Sequence, residues 1–182
     1  WDVGVYPLTL ATAFFAPARR VIAYGKTLYP HRVTMEGVPF TIEAPDWTTA
    51  AIELEDGTVV RLTANFYVGR PTRQTGMEFH GDKGSLHISS WQEFNASVQF
   101  GEFGSQFSDV PYVRPPYKGI EWGRAVWDLA DALRNDRPHR ATGEQAVHIV
   151  EILEAISRSM QEGRPVEIHS SFTPPKPMEW AQ

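Results

Sequence analysis

The clearest alternation of hydrophobic and polar residues in this chain lies within positions 48–67. Residues 48–55 and 58–67 flank Asp56-Gly57, a dipeptide that favours positive φ angles. Successive side chains of a strand point to opposite faces, so this pattern predicts a β-hairpin closed by a two-residue turn. We expect the second strand to carry Val60, Leu62, Ala64 and Phe66 on one face, and Arg61, Thr63, Asn65 and Tyr67 on the other.

The same reasoning predicts further strands and two loops. Residues 20–28 are rich in β-branched and aromatic side chains, which are enriched in strands. Residues 29–47 contain three prolines and read as a loop with at most one short strand. Residues 101–119 are expected to form a long loop. Three roles are open for it: lining a pocket, contacting a partner subunit, or packing as a surface loop on its own aromatic side chains. The remaining strands are expected at 76–81, 85–89, 96–100 and 164–168.

Three segments have helical periodicity. The first helix is expected over residues 4–15. It should begin near Val3 or Gly4, because Pro7 is tolerated only in the first turn of a helix. Residues 143–162 lie between Thr142, at capping-box spacing from Gln145, and Gly163, which favours a helix stop. A third helix is expected over 120–135. The positions predicted to be buried are, in chain order of the helices, Leu8, Ala11 and Phe15 in helix 4–15; Val126, Leu129, Ala130 and Leu133 in helix 120–135; and Val147, Ile149, Val150, Leu153 and Ile156 in helix 143–162.

These elements predict an α+β fold: an open, mostly antiparallel β-sheet with helices packed on one face, a two-layer α/β sandwich. We expect one domain over residues 1–182, with a proline-rich tail at 170–182. An open sheet leaves its second face uncovered, and apolar residues there favour burial against another subunit in a homo-oligomer. A partly solvated face is the alternative.

Composition narrows the class of protein. The net charge of −5 over 182 residues, without a basic run, argues against a nucleic-acid partner. No apolar run is long enough to span a membrane, and the absence of cysteine suits a cytoplasmic location. The chain begins with Trp1 rather than methionine, so we expect further sequence upstream.

Most candidate chemical motifs have a simpler structural interpretation. The sequence contains no glycine-rich phosphate loop and no serine nucleophile elbow. His80 and His87 fit no zinc pattern, so no metal site is expected. Glu53 and Glu55, next to Asp56, could perform acid–base chemistry in a pocket, but a solvated strand face is the more usual setting for such carboxylates.

Asp2 and Tyr6 are the remaining candidate catalytic residues. At positions i and i+4 they project from the same side of a helix start, where a carboxylate and a phenol can hold a substrate hydroxyl together. The structural alternative is that Asp2 caps the helix and Tyr6 is a core aromatic with a wet hydroxyl. Spacing alone does not separate these interpretations.

A series of motifs resembles the Gfo/Idh/MocA oxidoreductase family. The start of the chain, with Asp2, Gly4 and Tyr6 followed by Phe15-Ala-Pro17, is similar to the family sequence after its Rossmann domain. Residues 79–86 resemble the family's G-x-x-G-x-L hairpin. The resemblance continues at Gly143-Glu144 and over residues 159–166.

The resemblance implies the C-terminal half of an NAD- or NADP-dependent dehydrogenase acting on a sugar, cyclitol or other polyol. Its own Rossmann domain, absent here, would bind the cofactor and supply a catalytic lysine. No residue of this chain is expected to bind the cofactor, and the chain alone is expected to be inactive. Asp2 would orient the substrate or the lysine, and Tyr6 would transfer the proton. Tyr6 departs from the more usual histidine, so as a relay it would need a neighbouring cation.

Two other functions remain open at this point. A non-catalytic carbohydrate-binding or self-association domain of the same fold would lack the upstream dinucleotide fingerprint. Another dehydrogenase family with a similar second domain, such as the dihydrodipicolinate reductases, would carry a basic and histidine cluster for a dicarboxylate substrate. The absence of that cluster counts against the second possibility.

Overall fold

The computed structural model describes residues 3–67, 72, 74, 76–117 and 121–178. By compactness the chain divides into two units, residues 1–71 with 141–182, and residues 72–140. Within the described residues the elements are α1 (Val5–Phe14), β1 (Ala18–Lys26), β2 (His31–Val33), β3 (Pro39–Thr41), β4 (Trp47–Leu54), β5 (Val59–Asn65), β6 (Met77–His80), β7 (Gly84–Ile88), β8 (Val98–Glu102), β9 (Ser108–Val110), α2 (Arg124–Arg134), α3 (Gly143–Glu162) and β10 (Val166–Glu167).

The first unit is built on a four-stranded antiparallel sheet in the order β10-β1-β4-β5. The β4–β5 hairpin confirms the alternation seen in the sequence, but four residues, 55–58, separate the two strands rather than two. The Leu54 amide donates to the Thr58 carbonyl at 2.8 Å, and Gly57 has a φ of 88° in the loop. Glycine adopts this positive φ without steric cost, which explains its position there.

One face of this sheet packs on α3. The predicted helix limits are confirmed: Thr142 Oγ1 accepts from the Gln145 amide at 3.2 Å, and Gly163 is left-handed with φ 66°. The predicted stripe is only partly correct, because Val147 and Val150 are exposed. The core is Leu8, Ala16, Ala18, Val21, Ala50, Ile52, Leu54, Leu62, Ile149, Ile152, Leu153, Ala155, Ile156, Val166 and Ile168.

Helix α1 also contributes to this core. Leu8 and Ala11 are buried as predicted, whereas Phe15 follows the helix as its C-cap and is 39% exposed. The Gln145 side-chain amide donates to the Thr9 carbonyl at 3.3 Å and joins α3 to α1. A separate pair, β2–β3, occupies the segment expected to be a loop with at most one short strand.

The second unit holds a four-stranded antiparallel sheet in the order β6-β7-β8-β9. The predicted pair at 76–81 and 85–89 is confirmed. The stripe predicted for α2 is wrong, because Val126, Leu129, Ala130 and Leu133 are all exposed. The inward side carries Asp128 and Ala132 instead, and Asp128 accepts from Arg137 and Arg140. The buried side of α2 is therefore the one that carries the Asp128 contacts, not the apolar one.

The α+β class with open antiparallel sheets is confirmed. The single continuous sheet expected from the strand series is instead three sheets within the described residues, with β2–β3 as the smallest. No helix in the described part of the chain has the length and hydropathy needed to cross a bilayer.

Candidate functional site

Tyr6 lies in the first turn of α1 with 51% of its surface exposed. It is therefore not the core aromatic of the structural alternative. Asp2 lies outside the described residues, so the predicted pairing of Asp2 with Tyr6 stays a prediction.

The opposite side of α1 is anchored in the first unit. Leu8, Ala11 and Thr12 are buried, and Thr12 Oγ1 donates to the Leu8 carbonyl at 2.8 Å. Together with the Gln145 contact, this packing determines which side of the helix faces outward. A phenol held on that side can both donate and accept a hydrogen bond.

The carboxylates near the β4–β5 turn are engaged in structural contacts. Glu53 accepts from Arg19 and Arg20 at 2.6 Å each, and the hydrogen bond from Arg20 is the main cause that lowers the pKa of Glu53. Glu55 accepts from Ser171 Oγ at 3.0 Å, and Asp56 accepts from the Thr58 amide at 2.9 Å. These contacts support the structural interpretation of the three carboxylates.

His80 and His87 of the second unit also have protein partners. His80 Nδ1 lies 2.8 Å from Ser85 Oγ, and its Nε2 lies 3.4 Å from Glu78. The His87 ring lies 6.2 Å from the Phe107 ring. In the described portion of the chain no three His, Cys, Asp or Glu side chains are grouped closely enough to hold a metal ion.

A polar cluster around Asp46 was not anticipated from the sequence. Its buried carboxylate accepts from the Leu28 amide at 2.8 Å, the Tyr29 amide at 3.2 Å, Arg32 at 2.8 Å and the Tyr67 hydroxyl. The Arg32 guanidinium stacks over the Phe66 ring, 4.1 Å from its centroid. Leu28, Tyr29 and Arg32 come from a stretch with little periodicity, whereas Phe66 and Tyr67 end the alternating strand, so no local pattern indicated that they meet at Asp46.

The electrostatics of this cluster suit anchoring rather than proton transfer. Burial alone would raise the pKa of Asp46, but hydrogen bonds from Tyr67, Leu28, Tyr29 and Arg32 outweigh it and hold the pKa far below the usual value. Burial and the contact with Asp46 raise the pKa of Tyr67. A carboxylate that accepts four hydrogen bonds and stays ionised makes a poor general base.

The described residues include two concavities, one in each unit. One, of about 370 Å³, follows the β2–β3 pair and is lined by residues such as His31, Arg32 and Phe40. The other, of about 190 Å³, lies in the second unit beside His80 and Phe107. The linings of these two concavities do not include Tyr6.

The same fold occurs in several solved oxidoreductases. An NAD binding oxidoreductase from Klebsiella pneumoniae has a TM-score of 0.74 and 19% identity, over 93% of this chain and 50% of that one. An aldose-aldose oxidoreductase from Caulobacter crescentus complexed with glycerol has a TM-score of 0.70 and 17% identity, over 92% of this chain and 46% of that one. A levoglucosan dehydrogenase complexed with NADH and L-sorbose has a TM-score of 0.71 and 17% identity, over 93% of this chain and 49% of that one. This chain spans about half the length of these structures.

A family model also matches the first part of the chain. Residues 1–87 match the GFO/IDH/MocA C-terminal domain, and they include Asp2, Tyr6 and the 79–86 hairpin. The motifs over residues 143–166 lie outside the matched residues. No curated protein matches the sequence significantly. The matched residues carry the motifs at the start of the chain, so this part of the chain is similar to the C-terminal domain of the GFO/IDH/MocA family.

Proposed function

We propose that this chain is the substrate-binding and oligomerisation half of an NAD(P)-dependent oxidoreductase that acts on a sugar, cyclitol or related hydroxy compound by hydride transfer. The observation that carries the proposal is the family match over residues 1–87, which include α1 and Tyr6. Proteins of the same fold include one described as NAD binding and one complexed with NADH and L-sorbose.

The cofactor would be held mainly by a Rossmann domain joined to this chain. A dinucleotide cradle combines a strand, a glycine-rich loop and a helix N-terminus with free amides. The sequence has no G-x-G-x-x-G motif, and at the start of α3 the Gln145 amide already donates to Thr142. These residues do not fit a dinucleotide, so the proposed Rossmann domain would have to supply the binding site for it.

Tyr6 would contact the reacting hydroxyl group of the substrate. Its phenol lies on the outward side of an anchored helix, which supports a role in holding a ligand carried by the other domain. Asp2 would orient the substrate or the lysine that the family supplies from its Rossmann domain. The hydroxyl proton of the substrate alcohol would be taken up by this group of residues. The cofactor held by the Rossmann domain would supply the acceptor for the hydride on the carbon that bears the hydroxyl.

Self-association would use the open face of the β10-β1-β4-β5 sheet. Ile22 and Tyr24 on β1 are 47% and 61% exposed, and Ile22 stands opposite Ala51 in register. The Tyr24 ring packs edge-on to Trp47 with centroids 6.0 Å apart. An apolar and aromatic patch of this kind supports contact with a second subunit.

Calorimetry with NADH and NADPH tests the missing-domain proposal. The isolated chain should give no binding heat, whereas the longer protein that contains the Rossmann domain should bind one of the two. Micromolar affinity in the isolated chain would contradict the proposal. A longer protein that binds neither nucleotide would favour the non-catalytic alternative.

A further inference from the structure

His148 lies in the centre of the first unit and is fully buried. Its Nε2 accepts a hydrogen bond from the Ala18 amide at 2.8 Å, at the irregular start of β1. Its Nδ1 lies 2.9 Å from Ser170 Oγ, and the ring packs 5.3 Å from the ring of Phe172. One imidazole therefore joins α3 to β1 and to the segment after β10.

These contacts determine the protonation state of the ring. A backbone amide can only donate, so Nε2 must carry a lone pair, and the proton of the neutral ring must be on Nδ1, where it donates to Ser170. In the imidazolium form both nitrogens carry a proton. Nε2–H would then face the Ala18 N–H, which places two donors against each other in a buried site.

Side chains, rather than strand pairing, hold residues 169–172. Glu151 accepts from the His169 and Ser170 amides at 2.8 Å each, and Glu55 accepts from the Ser171 hydroxyl at 3.0 Å. The strand register of β10 with β1 ends at Glu167, followed by a hydrogen bond from Ile168 to Arg19. The attachment of this segment therefore depends on two carboxylates and one imidazole.

We propose that His148 is an acid-sensitive latch, which holds residues 169–172 against α3 and β1 only while its imidazole is neutral. Protonation leaves the Nδ1–H bond to Ser170 in place but sets Nε2–H against the Ala18 amide. The charged ring reaches water only when residues packed on it, such as Phe172, move away, and this favours release of the segment.

The charged groups around His148 act in opposite directions. Burial lowers the pKa of His148 and is the dominant cause; hydrogen bonding to the Ser170 backbone and the charges of Glu151 and Glu55 oppose it. His169 belongs to the attached segment, and Arg19, next to Ala18, is paired with Glu53. Ionisation of Glu151 is favoured by its contacts with the segment.

The direction of the pH dependence follows from proton binding. In the attached state the ring binds a proton more weakly than a free histidine, whose pKa is about 6.5. Attachment is therefore strongest above about pH 6.5 and weakens by up to about tenfold for each pH unit below it, until the pKa of the buried ring is reached.

Amide hydrogen exchange on this chain tests the latch. Protection factors of residues 169–172, corrected for intrinsic exchange, should fall at least tenfold between pH 7.5 and pH 5.0, while those of Ile152 and Ile156 should change much less. In His148→Gln the amide can replace the neutral ring, so the fall should disappear. The matched control His169→Gln removes an exposed histidine of the same segment, and in this variant the fall in protection should remain.

Nitrogen NMR of the His148 ring provides a second readout that needs no variant. At pH 7.5 the spectrum should show the Nδ1–H tautomer, and protonation of the ring should coincide with loss of protection in residues 169–172. Protection that stays constant down to pH 5.0 would overturn the proposal. The proposal would also fail if His169→Gln, rather than His148→Gln, removed the pH dependence. It would fail as well if the neutral ring of His148 were found as the Nε2–H tautomer.

Discussion

The guanidinium of Arg32 lies 2.8 Å from the carboxylate of Asp46, so the β2–β3 pair is tied to the residue that precedes β4. The same carboxylate accepts a hydrogen bond from the hydroxyl of Tyr67, which lies just beyond the end of β5. Asp46 thereby holds three separate segments in one place. Breaking such a buried pair by removing one partner leaves an uncompensated charge or donor.

Asp46→Asn is expected to lower the Tm at pH 7 by roughly 5 °C, because the neutral amide loses the ionic partner of Arg32. The pKa of Asp46 is lowered in the folded protein, so its contribution to stability is complete above about pH 4 and is lost as the pH falls further. The difference in Tm between wild type and variant should therefore shrink towards pH 2. Calorimetry across this range measures it, with the exposed Glu43→Gln as control; a difference independent of pH would contradict the assignment.

Tyr6→Phe is expected to reduce kcat in the longer protein roughly 100-fold, because the phenol that handles the substrate proton is lost. The Tm should change little, since the Tyr6 side chain is half exposed. The matched control is Tyr29→Phe, which removes the hydroxyl of a tyrosine that is 64% exposed. Equal rates for Tyr6→Phe and wild type would exclude a catalytic role for the hydroxyl.

Ile22→Glu is expected to shift the protein from oligomer to monomer, because it places a charge in the open face of the sheet. Size-exclusion chromatography with light scattering measures the mass. Met35→Glu is the control, since Met35 is fully exposed away from this sheet. A wild-type protein that is already monomeric would refute the interface.

Ile152→Ala is expected to cost about 2–5 kcal/mol in the free energy of unfolding, because Ile152 is fully buried beneath the sheet. Val147→Ala on the same helix should change it by less than about 0.5 kcal/mol, since Val147 is 62% exposed. Denaturant unfolding of both variants distinguishes the observed helix face from the one expected from the sequence. Comparable losses would mean that Val147 is covered in solution.

Local chemistry made several features predictable. The limits of α3 follow from contacts within a few residues, between Thr142 and Gln145 and at the left-handed Gly163. The β4–β5 hairpin follows from alternation on either side of Gly57. The start of α1, and with it the placement of Tyr6 in its first turn, follows from the position of Pro7. In each case the residues that decide the structure are neighbours in the chain.

Tertiary structure alone decided the remaining features, because they depend on partners that are distant in sequence. The hydrophobic period of α2 indicated Leu133 as buried, but the side turned inward carries Asp128, which pairs with Arg137 and Arg140 beyond the helix end. His148 is buried because its ring finds a donor in Ala18, 130 residues away. Side-chain periodicity identifies an amphipathic element, but only the packed chain shows which of its faces has polar groups whose hydrogen bonds can be satisfied inside the protein.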